Sequence, residues 1–187
     1  DGLSGETFAY SVRGIDSRHY GAELEFSARY RENFAGRLSV SYNPMMWLNN
    51  VESTVTDKAG ISIDTIRMNA KGLINGEQPQ FTLFISGLYT LKKHYQFFAE
   101  ARYCGVKYSW FNISSYADAE KAVQSWRYPD YVIADLGVAY KTMIAHRVLM
   151  NVAVTLHNVF NTRYISESLD GWNHDPATST VIYGHGR

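Results

Sequence analysis

The segment 148–156 alternates large apolar residues with mixed ones, and this pattern restricts the fold more than any other feature of the chain. Its odd positions hold Leu, Asn, Ala and Thr, whereas its even positions are Val148, Met150, Val152, Val154 and Leu156. Successive side chains of a β-strand point to opposite faces, so one face of this segment is apolar and the other is mixed. The segment therefore predicts an amphipathic strand.

The same alternation returns along the chain, so a sheet of such strands is expected. In the second half of 8–30, apolar residues alternate with Glu23 and Glu25. Carboxylates are costly in lipid, so these two are expected to face water, bonded to Arg29 or Arg102. Gly14 and Gly21 are candidates for bends or bulges. The other predicted strands are 38–48, 81–91, 95–111 and 132–140.

The predicted strands are joined by connections that alternate between short and long. The short ones are 31–36, 92–94 and 142–146, and the long ones are 49–77, 112–129 and the chain from 161 onward. Outer-membrane barrels combine minimal periplasmic turns with long outside loops in this way. A strand is expected around Ile61, Ile63 and Ile66, and a helical turn at 117–123. An interfacial girdle is expected near the short turns, formed by Tyr30, Tyr42, Tyr89, Tyr95 and Tyr140.

Composition excludes several classes of protein. The 18 basic and 18 acidic residues balance, so nothing points to nucleic acid as a partner. The mean hydropathy is −0.27, and no run of about 18 apolar residues exists, which excludes a transmembrane helix. The lone cysteine, Cys104, cannot form an internal disulfide and is expected to be a small buried or wall-facing residue.

Catalytic and metal-binding patterns are weak, so the chain is not expected to be an enzyme or to hold a cofactor or metal. There is no GxSxG nucleophile motif, and the histidines lack HxH or HExxH spacing. Asp170, His174 and Asp175 offer metal-ligating side chains. The favoured interpretation is a polar loop, because Asp, Asn, Gly and Pro are ordinary turn residues.

Aromatic residues cluster in the predicted long loops and are the best candidates for binding a ligand. Aromatic planes stack on sugar rings, haem or aromatic siderophore groups, although packing within the loops and an outer girdle are the plainer explanation for any single residue. The candidate ligand-binding residues are Trp110, Tyr116, Trp126, Trp172 and His174.

Several segments, in order along the chain, resemble the C-terminal part of TonB-dependent outer-membrane receptors. Those near the chain end resemble the family's penultimate strand, its last extracellular loop and the approach to its final strand. The matching segments are 20–25 (YGAELE), 125–137 (SWRYPDYVIADLG), 157–164 (HNVFNTRY), 170–178 (DGWNHDPAT) and 183–187 (YGHGR).

The resemblance implies an all-β fold, with residues 1–187 forming about six antiparallel strands of a transmembrane barrel of about 22 strands. The family's plug domain has no counterpart here, and its final strand would follow Arg187, so the chain is expected to be a processed or partial segment. The implied function is TonB-dependent uptake of a scarce nutrient: a metal chelate, haem, cobalamin or oligosaccharide. The implied partners are outer-membrane lipid, the nutrient, TonB acting through the plug and, in some relatives, a capping surface lipoprotein.

Two other interpretations of the same pattern stay open. One is a complete small outer-membrane barrel of about eight strands with a structural, adhesive or enzymatic role. The other is a soluble all-β binding domain whose apolar faces turn inward. Alternation alone does not distinguish a face that meets lipid from a face that lines a core.

Overall fold

The protein is all-β, and its strands form antiparallel sheets. The computed structural model describes residues 9–57, 59–76, 78–110, 113–120, 122–145, 147–171, 174–184 and 186. Among these residues, no helix has the length and hydrophobicity needed to cross a membrane. The strands are β1 (Ala9–Val12), β2 (Ser17–His19), β3 (Ala22–Tyr30), β4 (Phe34–Tyr42), β5 (Met45–Trp47), β6 (Val51–Thr56), β7 (Ser62–Met68), β8 (Phe81–Leu91), β9 (Tyr95–Gly105), β10 (Tyr131–Ile144), β11 (Val148–Leu156), β12 (Ile165–Leu169) and β13 (Thr180–Tyr183).

The main sheet has six strands in the order β11-β10-β9-β8-β4-β3. These are the six predicted strands, joined pairwise into three tight hairpins whose turns lie at one end of the sheet, here called the short-turn end. Arg31, Lys92, Lys93 and Ala145 adopt positive φ in these turns, which lets the chain reverse within very few residues. The long connections leave from the opposite end. β3 and β11 are the sheet's edges, so the sheet is open in the described structure.

Several predicted boundaries were wrong because glycines and turns interrupt the alternating pattern. Segment 8–30 is three strands rather than one, with breaks at Gly14, whose φ is +72°, and at Gly21. A side chain at Gly21 would collide with Tyr42 and Asn43 of the neighbouring strand's end. The first turn is shorter than 31–36, since β4 already begins at Phe34. β9 ends at Gly105 instead of reaching 111.

The register of the main sheet separates an apolar face from a polar face. Residues directly opposite each other in an antiparallel pair share a face, and Leu24, Val40, Leu83, Tyr103 and Val132 are paired successively across the sheet. Within these six strands the apolar face carries no charged residue. It includes Leu24, Phe26, Leu38, Val40, Leu83, Ile85, Phe97, Leu136, Val138, Val152 and Val154.

The polar face carries both acidic and basic side chains, and Glu23 and Glu25 lie on it as predicted. Their expected partners, Arg29 and Arg102, were wrong. Glu25 forms an ion pair with Arg37 at 2.6 Å, and Glu23 accepts a hydrogen bond from Ser41 at 3.3 Å. Both partners lie on β4, because residues across a hairpin are closer to each other than residues farther along the sheet.

Arg102 has a different neighbour on the polar face. Its guanidinium lies 5.9 Å from the ring centroid of Phe84, an aromatic residue that interrupts the polar pattern of β8. Cys104, on the same face of β9, is buried, as expected for a small apolar residue.

Aromatic residues of the apolar face form two rows. The lower aromatic row, near the short-turn end, comprises Tyr30, Phe34, Tyr89, Tyr95, Phe97 and Tyr140. The upper aromatic row comprises Tyr42, Phe81 and Tyr103, with Phe81 and Tyr103 in edge-to-face contact at 5.8 Å. The predicted place of Tyr42 was therefore wrong: it ends β4 and belongs to the upper row.

The long connections form further small sheets beyond the upper aromatic row. Connection 49–77 contains the expected strand, β7, which pairs with β6, and β6 in turn pairs with β1. A small core forms here around Met68, Ala70 and Tyr116. The expected helical turn at 117–123 was wrong in position. A 3-10 turn spans Ile113–Tyr116 instead, and residues 117–120 form bends and turns.

Two strand glycines provide a test of packing on the main sheet. A methyl group at Gly137 would overlap the ring of Phe98, which lies against the glycine backbone on the polar face. A methyl group at Gly36 would meet its neighbours at ordinary contact distances of 3.5 Å or more. We expect Gly137→Ala to destabilise the fold by about 1–3 kcal/mol through overpacking, and Gly36→Ala to leave stability nearly unchanged. Denaturant titration of both variants measures this, and equal midpoints would contradict the packing described.

Candidate functional site: the recess beside the last hairpin

A recess of about 470 Å³ lies between the β12–β13 hairpin and the chain that continues from β9. Its size falls within the range of small-molecule sites, which is about 300–1,000 Å³. The wall on the β9 side includes Lys107, Trp110 and Tyr128, and the hairpin contributes Glu167, Leu169 and Ile182.

Backbone pairing beyond the end of β9 builds one wall of the recess. Tyr108 forms a bridge to Arg127, and Trp110 forms a parallel bridge to Leu169. The Trp110 N–H donates to the carbonyl of Ser168 at 2.9 Å, and the Asp170 N–H donates to the carbonyl of Trp110 at 2.7 Å. The sequence predicted one strand over 95–111, but it did not indicate that residues 108–110 would pair with other parts of the chain.

A cation and aromatic rings line this wall. The Lys107 ammonium donates to the carbonyl of Ser166 at 2.5 Å and lies 5.3 Å from the ring centroid of Tyr128. Tyr128 is buried, and burial raises the pKa of its hydroxyl. Trp110 is 36% exposed, so part of its indole is accessible to a ligand. The recess thus offers apolar, aromatic and charged surface within one small volume.

Behind the recess, Asp170, His174 and Tyr116 form a buried cluster. Asp170 is 3% exposed, and its carboxylate is hydrogen-bonded to the Nδ1 atom of His174. The ring centroids of His174 and Tyr116 are 5.3 Å apart. Burial raises the pKa of Asp170, against the opposing influence of His174, and burial also raises the pKa of Tyr116. Asp170 Oδ1 has no hydrogen-bond partner among the described residues.

Ser179 connects Trp126 to the last long connection. The Trp126 Nε1–H donates to the Ser179 hydroxyl oxygen at 2.9 Å, and the Gly171 N–H donates to the same oxygen at 2.9 Å. Asp175 begins the 3-10 turn Pro176–Thr178 and accepts from the Ala177 N–H at 2.9 Å. These bonds hold the segment before β13 against the end of the sheet.

The structure brings four of the five predicted ligand-binding residues into this region. Trp110 borders the recess, and Trp126 lies beside Tyr128 with ring centroids 4.9 Å apart. Tyr116 and His174 are packed inside the loops and present little surface. Trp172 lies outside the described residues. Ligand binding by these residues stays a prediction. The sequence analysis did not identify Lys107 and Glu167 as residues that line the recess, because neither belongs to a recognisable motif.

Metal binding has no geometric support in the described part of the chain, where no cluster of three or more metal-ligating side chains occurs. Asp170 and His174 contact each other, whereas Asp175 caps the 3-10 turn. These contacts join the loop through its own polar residues, and the expected absence of a metal stays a prediction.

An ion pair at the start of β10 provides a pH prediction. The Tyr103 hydroxyl donates to Asp130 at 2.6 Å, and Arg127 bonds both carboxylate oxygens at 2.8 Å. These hydrogen bonds hold the pKa of Asp130 below its usual value, and the bond from Tyr103 has the largest effect. A lowered carboxyl pKa stabilises the fold above the unfolded-state pKa, and this contribution is lost as pH falls through the folded-state value. As the pH is lowered into the acid range, we expect the free energy of unfolding of wild type to fall relative to that of Asp130→Asn. A difference between the two unfolding free energies that does not change with pH would contradict this.

The comparisons with known proteins identify no relative. No protein-family model matches the sequence, and neither the curated proteins nor the solved structures give a significant match.

Proposed function

We propose that this chain forms part of the wall of a TonB-dependent transporter in the outer membrane of a Gram-negative bacterium. The observation that carries the proposal is the apolar face of the main sheet. Leu136 is 48%, Val152 54% and Val154 66% exposed, while Glu23 and Glu25 lie on the opposite face. Soluble monomers rarely expose continuous apolar patches above a few hundred Å². Acyl chains would cover this face without any further protein layer.

The spacing of the two aromatic rows supports a membrane crossing. Phe34 and Tyr42 begin and end β4, and eight residue steps in a strand span about 26 Å. A tilt of about 40° would reduce this to roughly 20 Å, comparable with the apolar band of about 25 Å in outer-membrane barrels. Tyrosines at both ends of the band would place their hydroxyls at the headgroups.

The open edges support a larger barrel. β3 and β11 each have one side without a strand partner in the main sheet. In lipid such backbone groups must be paired, because no water is present to replace the missing bonds. We propose that further strands pair with both edges, so that the sheet contributes six of about 22 strands.

Nutrient uptake is the function that this arrangement supports best. The polar face would line the lumen, and the long connections would stand outside the cell, where the recess beside Trp110 could bind part of a metal chelate, haem, cobalamin or oligosaccharide. The similarity of five segments to TonB-dependent receptors supports this assignment. Energy coupling would come from TonB through a plug domain, and a surface lipoprotein could cap the barrel.

Transport by the complete protein in living cells tests the proposal. Cells expressing the protein are given a ferric chelate, haem, cyanocobalamin and a maltooligosaccharide as separate labelled probes. We expect uptake of at least one probe, lost when TonB is deleted. Surface protease should also cleave the long connections and spare the short turns. Recovery of the protein as a monodisperse species without detergent would overturn the membrane assignment, and TonB-independent uptake would overturn the mechanism.

A further inference from the structure

Basic residues gather in the short turns of the main sheet. Arg31, Lys92, Lys93 and Arg147 all lie there and are exposed, and Glu32 is the acidic residue among the described turn positions. The whole chain has a formal net charge of zero. Positive charge is therefore concentrated at this end.

One of these charges, that of Arg31, lies beside the apolar face. The Arg31 guanidinium lies 5.2 Å from the ring centroid of Tyr30, which belongs to the lower aromatic row and is 64% exposed. His94, in the next turn, lies 6.2 Å from the ring of Tyr140 in the same row, and its Nδ1 atom is 2.9 Å from the carbonyl oxygen of Lys141. The turns thus place the Arg31 guanidinium and the His94 imidazole beside rings of the lower aromatic row.

We propose that the short-turn end binds the phosphate headgroups of anionic phospholipids in the leaflet that surrounds it. The inference rests on the proposed membrane function. An anionic phospholipid has a negative headgroup attached to apolar acyl chains. The basic turns would contact the headgroup, and the adjoining apolar face would contact the acyl chains. Guanidinium and ammonium groups form strong hydrogen bonds to phosphate oxygens. A soluble anion would match the charges but would leave the apolar face uncovered.

Lipid selectivity in reconstituted membranes tests this inference. The complete protein is placed in phosphatidylcholine vesicles that contain a minor fraction of phosphatidylglycerol, and spin-labelled forms of both lipids report which one the protein immobilises. We expect enrichment of phosphatidylglycerol, with each engaged basic residue contributing roughly fivefold. The enrichment should decline with added salt, because ions screen exposed charges.

Two variants with equal charge loss separate the turns from the rest of the chain. The turn variant combines Arg31→Gln, Lys92→Gln, Lys93→Gln and Arg147→Gln. The control combines Arg13→Gln, Arg18→Gln, Arg67→Gln and Lys71→Gln, which are exposed near the opposite end of the sheet. We expect the turn variant to lose the enrichment and the control to keep it.

Each outcome bears on a different claim. Enrichment that persists in the turn variant, that disappears equally in the control, or that is insensitive to salt in wild type would overturn the headgroup site. Insertion without any preference for phosphatidylglycerol would remove this inference and leave the proposed membrane function standing. Failure of wild type to insert into vesicles of either composition would overturn both.

Discussion

Replacing Ile85 by arginine is expected to destabilise the membrane-inserted protein by about 2–4 kcal/mol, the cost of Arg or Lys on the lipid face near the bilayer midplane. Ile85 lies on β8 in the interior of the main sheet, 53% exposed, paired with Leu38 and Ala101 on the apolar face. Its row lies between the two aromatic rows, so a guanidinium there would be far from either headgroup region. Urea titration of the protein folded into vesicles measures the loss.

Ser39→Arg is the matched control for this prediction. Ser39 lies on the polar face of the adjacent strand, directly opposite Glu25. An arginine there would meet water and a carboxylate, so we expect little change in stability. If the apolar face met water instead of lipid, Ile85→Arg would also be nearly neutral, because exposed substitutions usually change stability by less than about 0.5 kcal/mol. Similar values for the two variants would therefore contradict the proposed membrane function.

Asp170→Ala is expected to destabilise the packing behind the recess by about 1–3 kcal/mol, because it leaves a buried group of His174 without its hydrogen-bond partner. The Nδ1 atom of His174 would lose its hydrogen bond while the ring remained packed against Tyr116. The Asp170 backbone also bonds to Trp110, so loosening here should reach the recess wall. Hydrogen exchange at the Asp170 and Trp110 amides, measured with and without the substitution, reports the change.

Asp175→Ala controls for the loss of any acidic residue from this loop. Asp175 is exposed, and its carboxylate caps a short 3-10 turn, an interaction whose loss usually costs about 1 kcal/mol. We expect exchange at Trp110 to be nearly unchanged in this variant. If hydrogen exchange at the Trp110 amide accelerated equally in both variants, the buried contact between Asp170 and His174 would contribute no more to stability than the exposed cap.

The main sheet could be predicted from the sequence because its pattern is local. Each of the six strands alternates with period two, and tight turns force neighbouring strands to pair, so the short connections also fix most of the strand order. Errors arose where local pattern ends. The early end of β9 and the position of Tyr42 depend on chain reversals and neighbouring strands, which alternation does not encode. The breaks at Gly14 and Gly21, by contrast, fall at the two glycines predicted as bends or bulges.

The candidate site could be predicted only in part, since contacts between distant segments build it. Aromatic residues in long loops pointed to Trp110 and Trp126, but Tyr116 and His174, chosen by the same criterion, are buried by residues far away in sequence. Lys107 lines the recess because β12 lies beside the chain beyond β9. A lysine in a connecting segment carries no signal of that neighbour.

The sequence by itself determined that this protein is built from amphipathic antiparallel strands with an apolar and a polar face, because side-chain alternation is a property of each strand alone. Tertiary structure alone decided which residues meet across that sheet: the partners of Glu23 and Glu25, the two aromatic rows and the recess beside Trp110. Those contacts depend on strand register and on long connections folding back, and both are set by packing between segments distant in the chain.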